Sequence, residues 1–160
     1  MSRYIYISIV LALVAILAGC NGNDARIKEY PKKVVGRWIL QKQTSVVNAL
    51  EEGAEKDTIV VLEDRQYREL SLKPAEIEYG PEGAYLLVFK DYADQIKLRK
   101  PGLWMFNHDT LVYMQMDSTV ENKYAAVLTD TTMTLKGFID YDDDGKTDDA
   151  YEGFYRKLIR

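Results

Sequence analysis

The chain has one cysteine, one histidine and four prolines in 160 residues. A single cysteine leaves no disulfide to staple the fold, so stability has to come from burial and hydrogen bonding. The G-x-S-x-G elbow, the H-E-x-x-H pair and the phosphate-cradling glycine loop are all missing, and the chain is therefore expected not to be an enzyme. His108, beside Asp109, reads as a polar turn residue. There is no basic cluster or stripe, and 21 basic residues face 25 acidic ones for a formal charge of -4. No nucleic-acid partner is expected from such a balance. Internal repeats and proline- or glycine-rich linkers are absent too, which leaves room for one domain with one core.

The one long apolar run lies at the start. Arg3 precedes an uncharged stretch from Tyr4 to Ala18, which closes on Leu17, Ala18, Gly19 and Cys20. A positive start, an apolar stretch of about 7 to 15 residues and small residues before a cut are the parts of a secretory signal. The run is shorter than the roughly 20 residues a spanning helix needs, so a cut is favoured over an uncleaved anchor. Leu17-Ala18-Gly19-Cys20 resembles the lipobox of bacterial lipoproteins. That resemblance implies removal of residues 1–19 and attachment of lipid to Cys20, which commits the thiol to anchorage on a membrane. Two or three acyl chains would hold the protein durably, since one binds only marginally at about 0.8 kcal/mol per methylene. Asn21, Gly22, Asn23 and Asp24 are small and polar, and residues 20–30 read as a flexible tether. In enterobacterial lipoproteins an Asp after the cysteine favours the inner membrane; Asn21 stands there instead, which leans towards the outer membrane of the cell envelope.

Residues 31–160 read as the folded domain. Gly36 and Trp38 lie in a first strand spanning Val34 to Gln41, and Ser45 to Lys56 suggests a short helix that Gly53 weakens. β-Branched and aromatic residues then recur in short runs: Ile59 to Glu63, Gln66 to Leu72, Glu76 to Tyr79, Tyr85 to Phe89 and Gln95 to Arg99. Leu103 to Phe106, Thr110 to Met116, Lys123 to Thr129, Thr132 to Ile139 and Tyr151 to Leu158 continue the series. About ten short runs separated by turn residues predict an all-β sandwich or barrel. The connections are too short for crossover helices, so neighbouring strands should pair antiparallel. Gln95 to Arg99 alternates without error and is expected to turn one face to the core.

Gly36-Arg37-Trp38 resembles the G-x-W signature that opens lipocalin-type barrels, and the chain as a whole is similar to small lipocalin-like lipoproteins of Bacteroidetes. The resemblance implies an antiparallel up-and-down β-barrel of about 8 to 10 strands with at most a short helix. It also implies that Trp38 plugs the closed end, with Arg156 packed over its ring as a closing pair. Thr129-Asp130-Thr131 departs from the family's middle motif in lacking its tyrosine.

Asp140 to Asp149 is the densest acidic stretch. Its D-x-D-x-D-G start offers oxygen ligands at alternating positions, so Asp140, Asp142, Asp144 and Asp148 form a candidate Ca2+ set. The position that needs a bidentate glutamate in an EF-hand is Tyr151, and the flanks read as strands, so this is not an EF-hand. A solvated acidic turn is the other reading of the same residues. Two functions follow from the domain. In one, the barrel binds a small apolar or amphipathic ligand among inward aromatics such as Tyr85, Phe89 and Tyr113. In the other, the barrel is filled and an apolar patch on its outside binds another envelope protein, making this an accessory lipoprotein.

Overall fold

Strand alternation sorts this chain into an inside and an outside. The computed structural model describes residues 21–47, 58–61, 65–116, 120–142 and 144–159. The signal segment, Cys20 and most of the helix expected at 45–56 lie outside the described residues. Among the described residues two helices, α1 (Asn21–Val34) and α2 (Arg65–Glu69), accompany nine strands. The strands are β1 (Gly36–Val46), β2 (Thr58–Val61), β3 (Glu76–Tyr79), β4 (Ala84–Lys90) and β5 (Ile96–Asn107), followed by β6 (Thr110–Gln115), β7 (Glu121–Leu128), β8 (Thr132–Ile139) and β9 (Asp149–Lys157).

Closure comes from β1, which uses both of its edges. Along one edge it pairs antiparallel with β9, from Trp38 opposite Lys157 to Val46 opposite Ala150. Along the other, its first half pairs with β3 and its second half with β2. From β3 to β9 each strand pairs antiparallel with the next. The ring is therefore β1 and β3 to β9, a closed eight-stranded up-and-down barrel with β2 laid beside the upper half of β1. This is the architecture of lipocalins. A closed ring leaves no long edge for another chain to extend.

Turns and alternation place the core. In β7, Tyr124, Ala126 and Leu128 face inward while Lys123, Ala125 and Val127 face out; in β8, Met133 and Leu135 are fully buried. Asp91 builds the β4–β5 turn by accepting hydrogen bonds at Oδ1 from the backbone of Ala93 and Gln95, each at 2.9 Å. This is the local bonding that makes Asp a turn residue.

Three expectations are corrected. The flexible tether at 20–30 is helical from Asn21, and α1 runs across the expected domain boundary to Val34. Its sequence is a poor isolated helix former, with Pro31 inside it, so packing has to hold it. Val34 is fully buried, and the ring of Tyr30 meets that of Phe106 at 5.6 Å. Gln66 to Leu72 was expected as a strand; it begins as α2, in which Tyr67 is buried, and only Leu72 forms a bridge, to Asp91. Arg, Gln and Glu favour helix there over the strand that one tyrosine and two leucines suggested. Finally, the two short runs on either side of Lys100-Pro101-Gly102 are one strand of 12 residues, β5.

Candidate ligand cavity

The barrel has a stopped end and an open end. At the stopped end Trp38 is fully buried, and its indole Nε1 donates to the carbonyl of Val34 at 2.7 Å. Lys157 lies over the indole face at 5.1 Å and donates from Nζ to the carbonyl of Lys33 at 2.6 Å. Both carbonyls belong to the last turn of α1, where helix carbonyls lack intrahelical partners and carry partial negative charge. The ring and the ammonium thus close the barrel floor and cap the helix that covers it. Gly36 is needed twice over: its φ is +125°, and a Cβ there would come within 3.0 Å of Lys157 Cε.

This geometry corrects the expected pair. Arg156 is exposed on the outer face, opposite Ile39, and the cation on Trp38 is its neighbour Lys157. The period of two decides it, since only every second residue of β9 faces in. Burial pulls the Lys157 ammonium below its usual pKa, with Asp130 opposing.

At the other end lies a cavity of about 350 Å3. Tyr85 and Phe89 from β4 and Tyr113 from β6 all line it, so the three residues named from sequence share one wall system. Tyr124, Tyr141, Tyr151 and Tyr155 complete the aromatic lining, with Leu40, Ile77, Leu87 and Leu135 between them. Lys100, Gln43, Gln115 and Asn122 also reach it. The aromatic rings form a connected set: Tyr113 meets Tyr79 at 6.0 Å, Tyr85 at 5.0 Å and Tyr124 at 5.3 Å, and Tyr124 meets Tyr151 at 5.5 Å.

Room for these rings is made by glycine. A Cβ on Gly102 would fall 2.5 Å from the Tyr85 ring, and one on Gly153 would fall 2.3 Å from the Tyr151 hydroxyl and 2.8 Å from the Tyr155 ring. Each tyrosine is laid along the wall because the residue under it has no side chain, and the lumen stays hollow as a result.

Burial raises the phenol pKa values of Tyr79, Tyr124 and Tyr151, and neighbouring phenols add to the rise. Tyr155 is pushed up to about 12 by burial, against a hydrogen bond with Tyr151 that pulls it down. The phenols are consequently neutral donors at pH 7. The hydroxyls of Tyr151 and Tyr155 meet at 2.5 Å, whereas those of Tyr79 and Tyr113 are buried without a hydrogen-bond partner among the described residues.

The acidic turn joins β8 to β9 at the open end. The expected set of Asp140, Asp142, Asp144 and Asp148 is not what converges: Asp140 and Asp142 gather with Asp149, which is fully buried. Asp149 Oδ2 accepts from the backbone of Tyr141 at 2.6 Å and of Asp142 at 3.4 Å. Asp140 Oδ2 accepts from Gly145, and Asp144 Oδ1 from Lys146. Asp144 is drawn off by that local turn and by an ion pair with Lys146 at 3.2 Å. Burial, then Asp144 and Asp149, push the Asp148 carboxyl up. These contacts describe carboxylates spent on building the turn.

Tyr124, Tyr151 and Tyr155 could have been found from sequence by extending the alternation used for Tyr113, since each falls on an inward position of its strand. The same alternation puts Lys157, two residues after Tyr155, on the inner face, but which ring it meets is visible only once β9 is paired with β1.

No family model and no curated protein matches the chain. Among solved structures it is similar to a lipocalin-like protein from Bacteroides uniformis, with 7% identity, 79% of this chain and 99% of that one covered, and a TM-score of 0.47. It is likewise similar to an uncharacterized protein from Bacteroides eggerthii, with 11% identity, 78% and 99% covered, and a TM-score of 0.47.

Proposed function

We propose that this barrel is a non-enzymatic binding protein for a small, largely apolar molecule, held on an envelope membrane by lipid on Cys20. The observation that carries the binding reading is the cavity of about 350 Å3, lined by aliphatic and tyrosine side chains and confined to one end of the barrel. Small-molecule sites are concave, mostly apolar and about 300 to 1,000 Å3 in volume. The lumen's polar groups are phenols, amides and one ammonium, a set suited to orienting a ligand.

The anchor has a geometric consequence on this reading. α1 begins at Asn21, next to Cys20, and ends against the stopped end of the barrel. Lipid on Cys20 would turn that end to the bilayer and the cavity mouth away from it. The ligand would then arrive from the aqueous side.

Binding is tested with N-phenyl-1-naphthylamine, a neutral apolar dye whose emission rises on leaving water. The wild-type protein should bind it saturably, and Leu87→Trp, which puts an indole into the cavity from β4, should weaken binding at least tenfold. Equal binding by both proteins would remove the cavity from the account. Cys20→Ser should release the protein from the membrane fraction; unchanged fractionation would refute the anchor.

The alternative, a surface that docks another envelope protein, is supported by one feature. Leu103, Met105 and Met114 are exposed on the outer wall of β5 and β6, with Leu103 directly opposite Met114. Its other premise, a filled interior, fails on the cavity.

A further inference from the structure

We infer that the ligand carries an uncharged hydrogen-bond-accepting oxygen, a ketone or quinone type of carbonyl, on a compact apolar frame, and that it enters oxygen first towards the tyrosine hydroxyls at the cavity floor. This rests on the binding reading above and narrows it to a ligand class.

The argument is a count of donors and acceptors. No carboxylate lines the cavity among the described residues, whereas Tyr85, Tyr113, Tyr124, Tyr141, Tyr151 and Tyr155 all do, beside three amides and one cation, Lys100. A phenol is one donor and a modest acceptor. The Tyr151 and Tyr155 hydroxyls share one proton in their 2.5 Å contact, which leaves the second proton of the pair to be given elsewhere. Tyr113 lines the cavity while its hydroxyl is buried and has no partner among the described residues, so an acceptor reaches that donor when the ring turns towards the lumen. A buried polar group left unmatched is costly, so a guest that supplies an acceptor gains more than one that merely fills space.

Depth and charge set the rest. On β6, Tyr113 lies below Gln115, and its ring stacks on Tyr79, which in turn meets Trp104 at 5.8 Å. The unmatched donor is therefore deep in the barrel. Burial keeps Tyr124, Tyr151 and Tyr155 protonated, so they can donate to an acceptor but offer no countercharge to an anion, and the one cation, Lys100, is an exposed residue. On the β4–β5 wall, Leu87, Phe89 and Leu98 supply the apolar surface against which a ring can lie.

The test compares 1-tetralone with tetralin, bicyclic compounds of nearly equal size that differ in one carbonyl, by equilibrium dialysis at pH 7. Wild-type protein should bind the ketone at least tenfold more tightly. Tyr113→Phe should cut that preference at least fivefold and leave tetralin affinity within twofold, and Lys100→Met should leave the preference intact. Thermal melting confirms that Tyr113→Phe is folded; should it not be, Tyr151→Phe removes the neighbouring donor and is read the same way. Equal affinity for the two compounds in wild type would overturn this inference while leaving the binding reading standing. Loss of the preference in Lys100→Met rather than in the phenylalanine variants would overturn the oxygen-first orientation. Failure to bind tetralone, tetralin and the naphthylamine dye would overturn both readings together.

Discussion

The two ends of the barrel solve opposite problems with the same kind of residue. At the stopped end, large rings are consumed: Trp38 fills the floor and spends its N–H on Val34, and Trp104 spends its own on the carbonyls of Gly80 and Ala84 at 3.1 and 2.9 Å. At the open end the rings are held apart. Tyr85, Tyr151 and Tyr155 lie along the wall over Gly102 and Gly153, and Tyr113 keeps an unspent hydroxyl. An aromatic residue fills a barrel when its neighbours leave it nowhere else to go, and lines a cavity when a glycine beside it gives it a wall to lie on.

The largest expected effect strikes the buried tyrosines, three of the four in the hollow half. Tyr79, Tyr124, Tyr151 and Tyr155 all hold folded-state pKa values above the unfolded value near 10. The unfolded chain therefore loses those protons first, and stability that is fully present below pH 10 falls as the pH rises beyond it. Each such phenol costs about 1.4 kcal/mol at one unit above its unfolded pKa. Denaturant melts at pH 8 and pH 11, with tyrosinate absorbance followed in parallel, should show a drop of several kcal/mol and ionisation that accompanies unfolding. Ionisation of all tyrosines near pH 10 in the folded protein would place the rings in water.

Next comes the stopped end. Trp38→Ala should cost about 3 to 5 kcal/mol in urea unfolding, because it empties the floor and strips the cap from α1. At the rim, Asp149→Ala should cost about 1.5 to 3 kcal/mol, since the backbone N–H groups of Tyr141 and Asp142 lose a charged, buried acceptor. A loss as large as that of Trp38→Ala would mean that the rim, too, is part of the main core. The smallest effect is the most discriminating about the floor. Lys157→Met should lose about 1 to 2 kcal/mol from the cation–indole contact and the helix carbonyl. Arg156→Met should stay within about 0.5 kcal/mol, as exposed positions do. The reverse order would restore Arg156 as the closing residue.

Much of this was legible in the chain. Glu76 to Tyr79 and Thr132 to Ile139 stand as strands with the bounds that alternation and turns suggested. Tyr85, Phe89 and Tyr113 were legible as inward aromatics because periodicity within a strand is local information. What escaped was relational. That the inward Lys157 lands on Trp38 depends on how β9 registers against β1, where Trp38 stands opposite Lys157 and a bulge lies between Leu40 and Lys42. The helicity of residues 21–34 depends on a floor supplied by residues more than a hundred positions later, Lys157 among them. Gln95 to Arg99 shows the limit from the other side. Its alternation predicts one face for Ile96 and Leu98, yet a register shift between Phe89 and Lys90 separates them: Leu98 lines the cavity mouth, whereas Ile96 lies opposite Lys90 beside Arg37, Glu78 and Arg99 on the outer wall.

Fluorine NMR of protein labelled with 3-fluorotyrosine tests the two-ended account most directly. On addition of N-phenyl-1-naphthylamine, the resonances of Tyr85, Tyr113 and Tyr151 should move, and those of Tyr30 against α1's floor and Tyr92 on the outer turn should stay. Movement of Tyr30 or Tyr92 with the cavity tyrosines unmoved would contradict a barrel that is stopped at one end and receives its guest at the other.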